Sequence, residues 1–272
     1  MVDRHSAKHI TGYGMGSRSL GKFSVGRLRP LLLLVIMPAA LMASSLSAQT
    51  SPLNDTGQSL CFDQAFVQIP NDALRPCSVA NTGDGSTHPR QDARFGRDAQ
   101  AAAEQLTKIG AGEAGFDFTK IANNGSELPV SAELGSGPGD WACTRDNVTG
   151  LNWEVKTSNN AGDLFNFDDA SAVHAAAVNS AQLCGYTDWR VPTRRELLSI
   201  VHFGRSVPAI DLAFFPNTNV DLGGSVGNPF FWSSDILVHS PASAWNLGFG
   251  YGFTYGGSQT NSFHVLLVRS GQ

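Results

Sequence analysis

The sequence is short of charge, of cysteine and of catalytic motifs, and each shortage closes off a class of function. Only 15% of its 272 residues are charged. Arg4, Lys8, Arg18, Lys22, Arg27 and Arg29 take six of the 19 Lys/Arg, so residues 49–272 hold 13 basic against 22 acidic residues, a net of −9. Binding to nucleic acid relies on Lys and Arg to neutralise phosphates, so no nucleic-acid partner is expected. No G-x-x-x-x-G-K-[ST] or H-E-x-x-H occurs, which removes the usual phosphate loop and zinc-protease helix. Gly248-x-Gly250-x-Gly252 lacks the strand-then-helix setting of a dinucleotide site and reads as a glycine-rich strand. Residues 49–272 have no C-x-x-C and no His pair at ligand spacing, so they carry no zinc signature, and no EF-hand spacing occurs. Asp168-Asp169 reads as a helix start. No cofactor or metal is expected. The 29 Gly and 13 Pro are ordinary usage, so the chain is neither collagen-like nor disordered.

Long apolar runs are also scarce. The one notable run, Leu31 to Ala43, follows the basic residues and precedes Ser44, Ser45, Ser47 and Ala48. Basic region, short apolar region and small-residue cleavage site come in the order of a secretory signal, so residues 1–48 are read as a signal peptide cut after Ala48, with Ser47 and Ala43 as alternative cut sites. The run is shorter than the ~20 residues of a span and Pro38 interrupts it, so no transmembrane span is expected in the mature chain. Met15 would open a signal of more ordinary length. The expected location is exported: periplasm, cell surface or medium. Four cysteines, Cys61, Cys77, Cys143 and Cys184, fit two disulfides in an oxidising compartment. Three pairings are possible; Cys61–Cys77 within a local loop and Cys143–Cys184 across the main domain are favoured.

Residues 49–140 are weakly patterned and read as a loop-rich N-terminal segment. Ser51 to Gly57 carries turn chemistry, Asn81 to Pro89 is a polar loop, and Asp98 to Lys108 holds a short Ala-rich helix. From Trp141 to Gln272 the pattern sharpens. Leu151-Asn-Trp-Glu-Val155 alternates like a half-buried strand. Asn166 or Asp168 caps a helix running to about Leu183, with Gly185 as terminator. Thr193-Arg-Arg-Glu196 has capping-box spacing, with Pro192 and Leu197 placed as a hydrophobic staple, ahead of a helix to about Phe203. Phe230 to Ser234 reads as a buried strand. Trp245, Leu247, Phe249, Tyr251, Phe253 and Tyr255 occupy alternate positions, which predicts one long strand with an apolar face. Gly256 to Asn261 then turns the chain and Phe263 to Val268 returns beside it. Helices followed by hairpins predict an α+β fold with two helices and antiparallel hairpins.

Asp188, Glu196 and His202 lie close enough in sequence to be drawn as an acid/base cluster, but each has a structural explanation as turn acid, capping Glu or helix-face His. Arg194, Arg195 and Arg205 lie on or just after one helix, where they could present positive charge to sulfate or carboxylate groups. The aromatic face from Trp245 to Tyr255 could stack on sugar rings, although such a stripe usually packs into a core.

Asp146-Asn-Val-Thr-Gly-Leu-Asn-Trp-Glu154 and Cys184-Gly-Tyr-Thr-Asp-Trp-Arg-Val-Pro-Thr-Arg-Arg-Glu-Leu-Leu-Ser-Ile-Val201 resemble the Lcl C-terminal domain family. So do Ile210-Asp211, Phe214-Phe-Pro216, Phe231-Trp-Ser-Ser234, Ala244-Trp245 and Val268-Arg269. The resemblance spans roughly 141–270; Asp55-Thr-Gly-Gln58 followed by Cys61 is similar to the lead-in that often precedes the domain. The family is named for a Legionella collagen-like adhesin. The resemblance implies a C-type-lectin-like fold and a secreted or surface role; in the adhesin, the domain is associated with sulfated glycosaminoglycans and trimerisation. No Gly-x-y stalk precedes the domain here. Trp245-Asn246 is followed by Leu247, so the calcium sugar site of true C-type lectins is not expected, nor is the cysteine pair of the formylglycine-generating relatives. The expectation is an exported, non-catalytic binding or adhesion module for a glycan or surface partner, with Arg194, Arg205 and Trp245 as contributors. The alternative is a structural subunit of a bacterial envelope assembly. The sequence does not set an oligomeric state.

Overall fold

A computed structural model describes residues 54–62, 74–77, 90–220 and 229–270. The signal peptide read at 1–48 and the polar loop at 81–89 lie outside the described residues. Among the described residues, no helix is long and apolar enough to cross a membrane.

The first elements are small. β1 (Leu60–Phe62) pairs antiparallel with β2 (Leu74–Pro76), and Cys61 is bonded to Cys77 beside this ladder. A 3₁₀ turn, Asp92–Arg94, leads into α1 (Gly96–Ala102). This helix lies earlier than the stretch from Asp98 to Lys108 expected to hold it, because Glu104 takes a left-handed φ of +58° and ends it.

Next come β3 (Phe118–Ala122), β4 (Glu127–Leu128), β5 (Trp141–Asp146) and β6 (Leu151–Glu154). With β10 (Val268–Ser270) they form one antiparallel sheet in the order β10-β6-β5-β3-β4. The β5–β6 turn is the Asp146-Asn-Val-Thr-Gly150 motif. The Asp146 carboxylate accepts from the Val148 and Thr149 amides at 2.9 and 3.3 Å and from the Thr149 hydroxyl at 2.7 Å. Sharp patterning starts at Trp141, but the sheet starts at Phe118. All five residues of β3 are buried, Thr119 and Lys120 among them, so the strand has no alternation to read.

The expected helix after Asn166 is present and interrupted. Asn166 Oδ1 accepts from the Asp169 amide at 2.8 Å and opens α2 (Phe167–Asp169). A π turn over Ala170–Ala175 follows, then α3 (Ala176–Ser180). Regular helical spacing would turn Val173 inward; with the wider turn Val173 is exposed and His174 is buried. Cys184, bonded to Cys143, takes a left-handed φ of +54° in the 3₁₀ turn Leu183–Gly185.

α4 (Arg194–Ser199) carries the predicted capping box: Thr193 Oγ1 accepts from the Glu196 amide and Glu196 Oε2 from the Thr193 amide. It stops short of Phe203. The His202 amide donates to Ala209 O and the Phe203 amide to Thr56 O, which draws the chain out of the helix.

The late region departs most from its pattern. β7 (Phe230–Ile236), β8 (Ser243–Gly248) and β9 (Phe253–Ser258) form a separate antiparallel sheet in that order. The stretch expected to be one strand from Trp245 to Tyr255 is a hairpin. Gly252, with φ of +75°, donates its amide to Gly248 O and reverses the chain. A Cβ at Gly252 would lie 2.4 Å from Val201 Cγ1, so only glycine fits there. The expected turn at Gly256 lies inside β9, and Phe263 to Val268 is not its partner. Phe263 and His264 make single bridges to Phe165 and Phe231, while Val268 joins β6 in the other sheet.

Two cores result. One holds Phe116, Phe118, Trp153, Leu197, Phe215, Phe231, Leu247 and Phe249. The other surrounds the Cys143–Cys184 bond with Ile121, Trp189, Trp232, Ala244 and Phe263. Consecutive residues Phe231 and Trp232 point to opposite sides of β7 and enter different cores, so this sheet is a wall between them. The molecule is α+β, with few helices and antiparallel sheets.

Candidate functional site

The residues singled out from the sequence do not share one place. Arg194 and Trp245 meet: α4 packs against β8 and sets the guanidinium 4.3 Å from the indole centroid, a cation–π contact. The Arg194 amide donates to Asp235 Oδ2 at 2.7 Å, fixing the helix start. Arg205 lies elsewhere, with Nη1 3.1 Å from Glu113 Oε2 and 3.9 Å from Asp211 Oδ1. The partners of Arg194 and of Arg205 have no residue in common.

Asp188, Glu196 and His202 are likewise separate. Asp188 accepts from Arg269, at 2.6 Å from Nε, and this holds its carboxyl below the ordinary range. Arg269 in turn stacks 3.7 Å over Tyr186. Burial pushes the Glu196 carboxyl up, but the Arg190 fork at 2.8 and 2.6 Å and the capping box outweigh it and hold it low. His202 is buried beside Phe116, and burial pushes its imidazole below the usual value.

The most exposed aromatic surface is on the second half of the stripe. Leu247 and Phe249 are buried, whereas Tyr251, Phe253 and Tyr255 are 47, 56 and 47% exposed. Their centroids follow one another at 5.8 and 6.4 Å, and Phe230 meets Tyr255 edge-on at 5.1 Å. Register explains the grouping. Phe230 opposes Gly248, Gly248 opposes Phe253, and Asn246 opposes Tyr255, so Phe230, Phe253 and Tyr255 share a face while Trp245 lies on the other. A Cβ on Gly248 would press within 3.3 Å of the Phe230 ring. The cleft these rings line with Pro229 and Gly250 has a volume of about 260 Å3, and among the described residues its only ionisable groups are tyrosine hydroxyls.

A larger recess of about 460 Å3 is lined by Gly57, Lys108, Glu113, His202, Gly204 and Arg205, among others. Lys108 and Glu113 escape sequence reading because they belong to the unpatterned stretch before β3. Deeper in the fold, Lys156 Nζ lies 2.9 Å from Glu154 Oε1, and His174 Nε2 lies 3.0 Å from Glu154 Oε2. All three are buried, and the π turn is what delivers His174.

Asp55, Asp92 and Asp98 bring carboxylate oxygens within 4.8 Å of one another and are the group most able to hold a cation among the described residues. Their oxygens are largely used already. Asp98 accepts from the Gly57 and Gly115 amides, both at 2.7 Å, Asp55 from the Asp98 amide at 3.0 Å, and Asp92 from the Thr56 hydroxyl. Burial pushes the Asp98 carboxyl up.

Residues 142–269 match the model of a family described as the Lcl C-terminal domain. The match contains the capping box, the Arg194–Trp245 contact, the aromatic strip and the buried Glu154 group, while Gly57, Lys108 and Glu113 lie before it. No curated protein matches the chain.

Proposed function

We propose that the protein is an exported, non-catalytic recognition module that binds glycans through Tyr251, Phe253, Tyr255 and Phe230. The observation that carries the reading is the exposure of three rings, Tyr251, Phe253 and Tyr255, in consecutive contact on one hairpin. Large apolar side chains left in water in a contiguous strip mark interaction surfaces, and aromatic rings suit the apolar faces of sugar rings. The acidic body favours neutral sugars over sulfated ones, since the cleft offers no cation to a polyanion. Arg194 and Trp245, on the opposite face of the sheet, serve as secondary contributors. The α+β architecture and the two disulfides are in keeping with a C-type-lectin-like fold, a signal peptide at 1–48 and a role at the cell surface or in the periplasm.

A glycan array with the purified oxidised protein, run with calcium and with chelator, tests this. Specific binding that survives chelation is expected. Y251A and F253A should each weaken it by up to about tenfold, the scale of one aromatic contact, without moving the melting temperature. A blank array from folded protein, or binding indifferent to both substitutions, rejects the reading. If the strip instead captures an envelope protein, the molecule is a subunit of an envelope assembly.

A further inference from the structure

The recess around His202 and Arg205 has a chemistry unlike that of the aromatic strip. It lies between the lead-in at Gly57 and Ser59, α1 at Ala101 and Ala102, and Gly204 and Arg205 beyond α4. About 460 Å3 is the size of a small-ligand site. His202 forms part of its wall with a side chain only 6% exposed, held against Phe116 at 5.3 Å. Neither of its ring nitrogens makes a hydrogen bond, an uncommon state for a buried polar group. Two glycines make room for the ring: a Cβ at Gly57 would lie 2.7 Å from Nδ1, and one at Gly204 would lie 3.0 Å from Cε1.

Two cations, Arg205 and Lys108, share the recess. Between Arg205 and His202 stands a single carboxylate oxygen of Glu113, 3.1 Å from Arg205 Nη1 and 3.3 Å from His202 Nε2. Neither approach has hydrogen-bond geometry, and Glu113 is mostly in solvent, with 58% of its side chain exposed. A carboxylate held this loosely, between a guanidinium and a buried imidazole, marks the place where a better-oriented one would sit.

We propose that this recess binds a small organic carboxylate, which displaces Glu113 from between Arg205 and His202 while Lys108 contributes a second positive charge. Asp211, 3.9 Å from Arg205, stays in place, so the exchange of one carboxylate for another leaves the local charge unchanged. Ala101, Ala102, Leu106 and Ala114 would face the rest of the ligand, which suits a short body, whether a sugar acid or an aliphatic acid. The inference does not depend on the aromatic strip.

Calorimetric titration of the purified protein with two matched pairs tests it: galacturonate against galactose, and hexanoate against hexanol. Saturable binding of an acid and none of its neutral partner is expected, and the pair that responds identifies the kind of ligand body. E113A, a change at an exposed side chain that leaves folding intact, should tighten binding several-fold by removing the resident competitor. R205A should weaken it about tenfold or more, and Y251A should leave it unchanged. Equal binding of acid and neutral partner overturns the proposal. So does the absence of binding by either acid to folded protein, or weaker binding in E113A.

Discussion

Glu154, Lys156 and His174 form a buried cluster of ionisable groups. Burial pushes the Glu154 carboxyl up, but Lys156 and His174 outweigh that and hold it at about 2, against an ordinary 4.5. Its oxygens also accept from the Leu267 amide at 3.1 Å. A carboxyl lowered in the folded state stabilises fully above its unfolded value and loses that contribution as pH falls through the folded one. Urea midpoints should therefore fall between pH 4.5 and pH 2. Asp98 and Asp146 work in the opposite sense, because burial raises both and protonation relieves them. E154Q should accordingly flatten the acid limb of the profile to what Asp188 and Glu196, also held low, still supply. At neutral pH it strands the Lys156 ammonium and should cost about 3–5 kcal/mol, whereas E154L/K156M, which removes both charges, should recover most of the loss. Little of this is legible in the sequence. Alternation assigns Glu154 to the polar face of its strand, yet it is buried, and His174 reaches it only through a π turn that no spacing announces.

Among the elements, those specified by neighbours in sequence are the legible ones. Thr193 and Glu196 are three residues apart and form the capping box their spacing predicts, and Asn166 caps the preceding helix. T193A should cost about 1 kcal/mol, and a melting shift of roughly 2–4 °C would register it. The late hairpin was illegible for the converse reason. Alternation continues unbroken through Gly248, Gly250 and Gly252; the chain reverses at Gly252, whose φ is +75°, and a Cβ there would press on Val201, far away in the sequence. The same hidden turn divides the aromatic stripe into a buried half and an exposed one. The disulfides join the favoured pairs, and their loops differ, with separations of 16 and 41 residues. Chain entropy gives about 3 kcal/mol for the first and about 4 for the second. C143A/C184A, which also empties the centre of a core, should therefore lower the urea midpoint more than C61A/C77A.

At the scale of the molecule, the lead-in is stitched into the part that follows it. Asn54 Nδ2 donates to Ser199 O at 3.0 Å, Thr56 O accepts from the Phe203 amide, and Asp98 ties Gly57 to Gly115. The reading of 49–140 as a loop-rich segment and 141–272 as the domain follows the contrast in patterning, which does not reveal that Phe116 and Phe118 share a core with Trp153 and Phe231. D98A should destabilise by about 1–3 kcal/mol for each amide it orphans, measurable by urea unfolding. The opposite end of the chain has a consequence of its own. Val268 to Ser270 fills the sheet edge beside β6, and Leu267 reaches back 113 residues to Glu154. Pairings this distant in sequence close late, so refolding should be slow, on the order of milliseconds to seconds. Until those last residues arrive, Leu151–Glu154 presents an open strand edge to any neighbouring chain. Aggregation during refolding should therefore rise with protein concentration, and a synthetic peptide of residues 265–270 should suppress it.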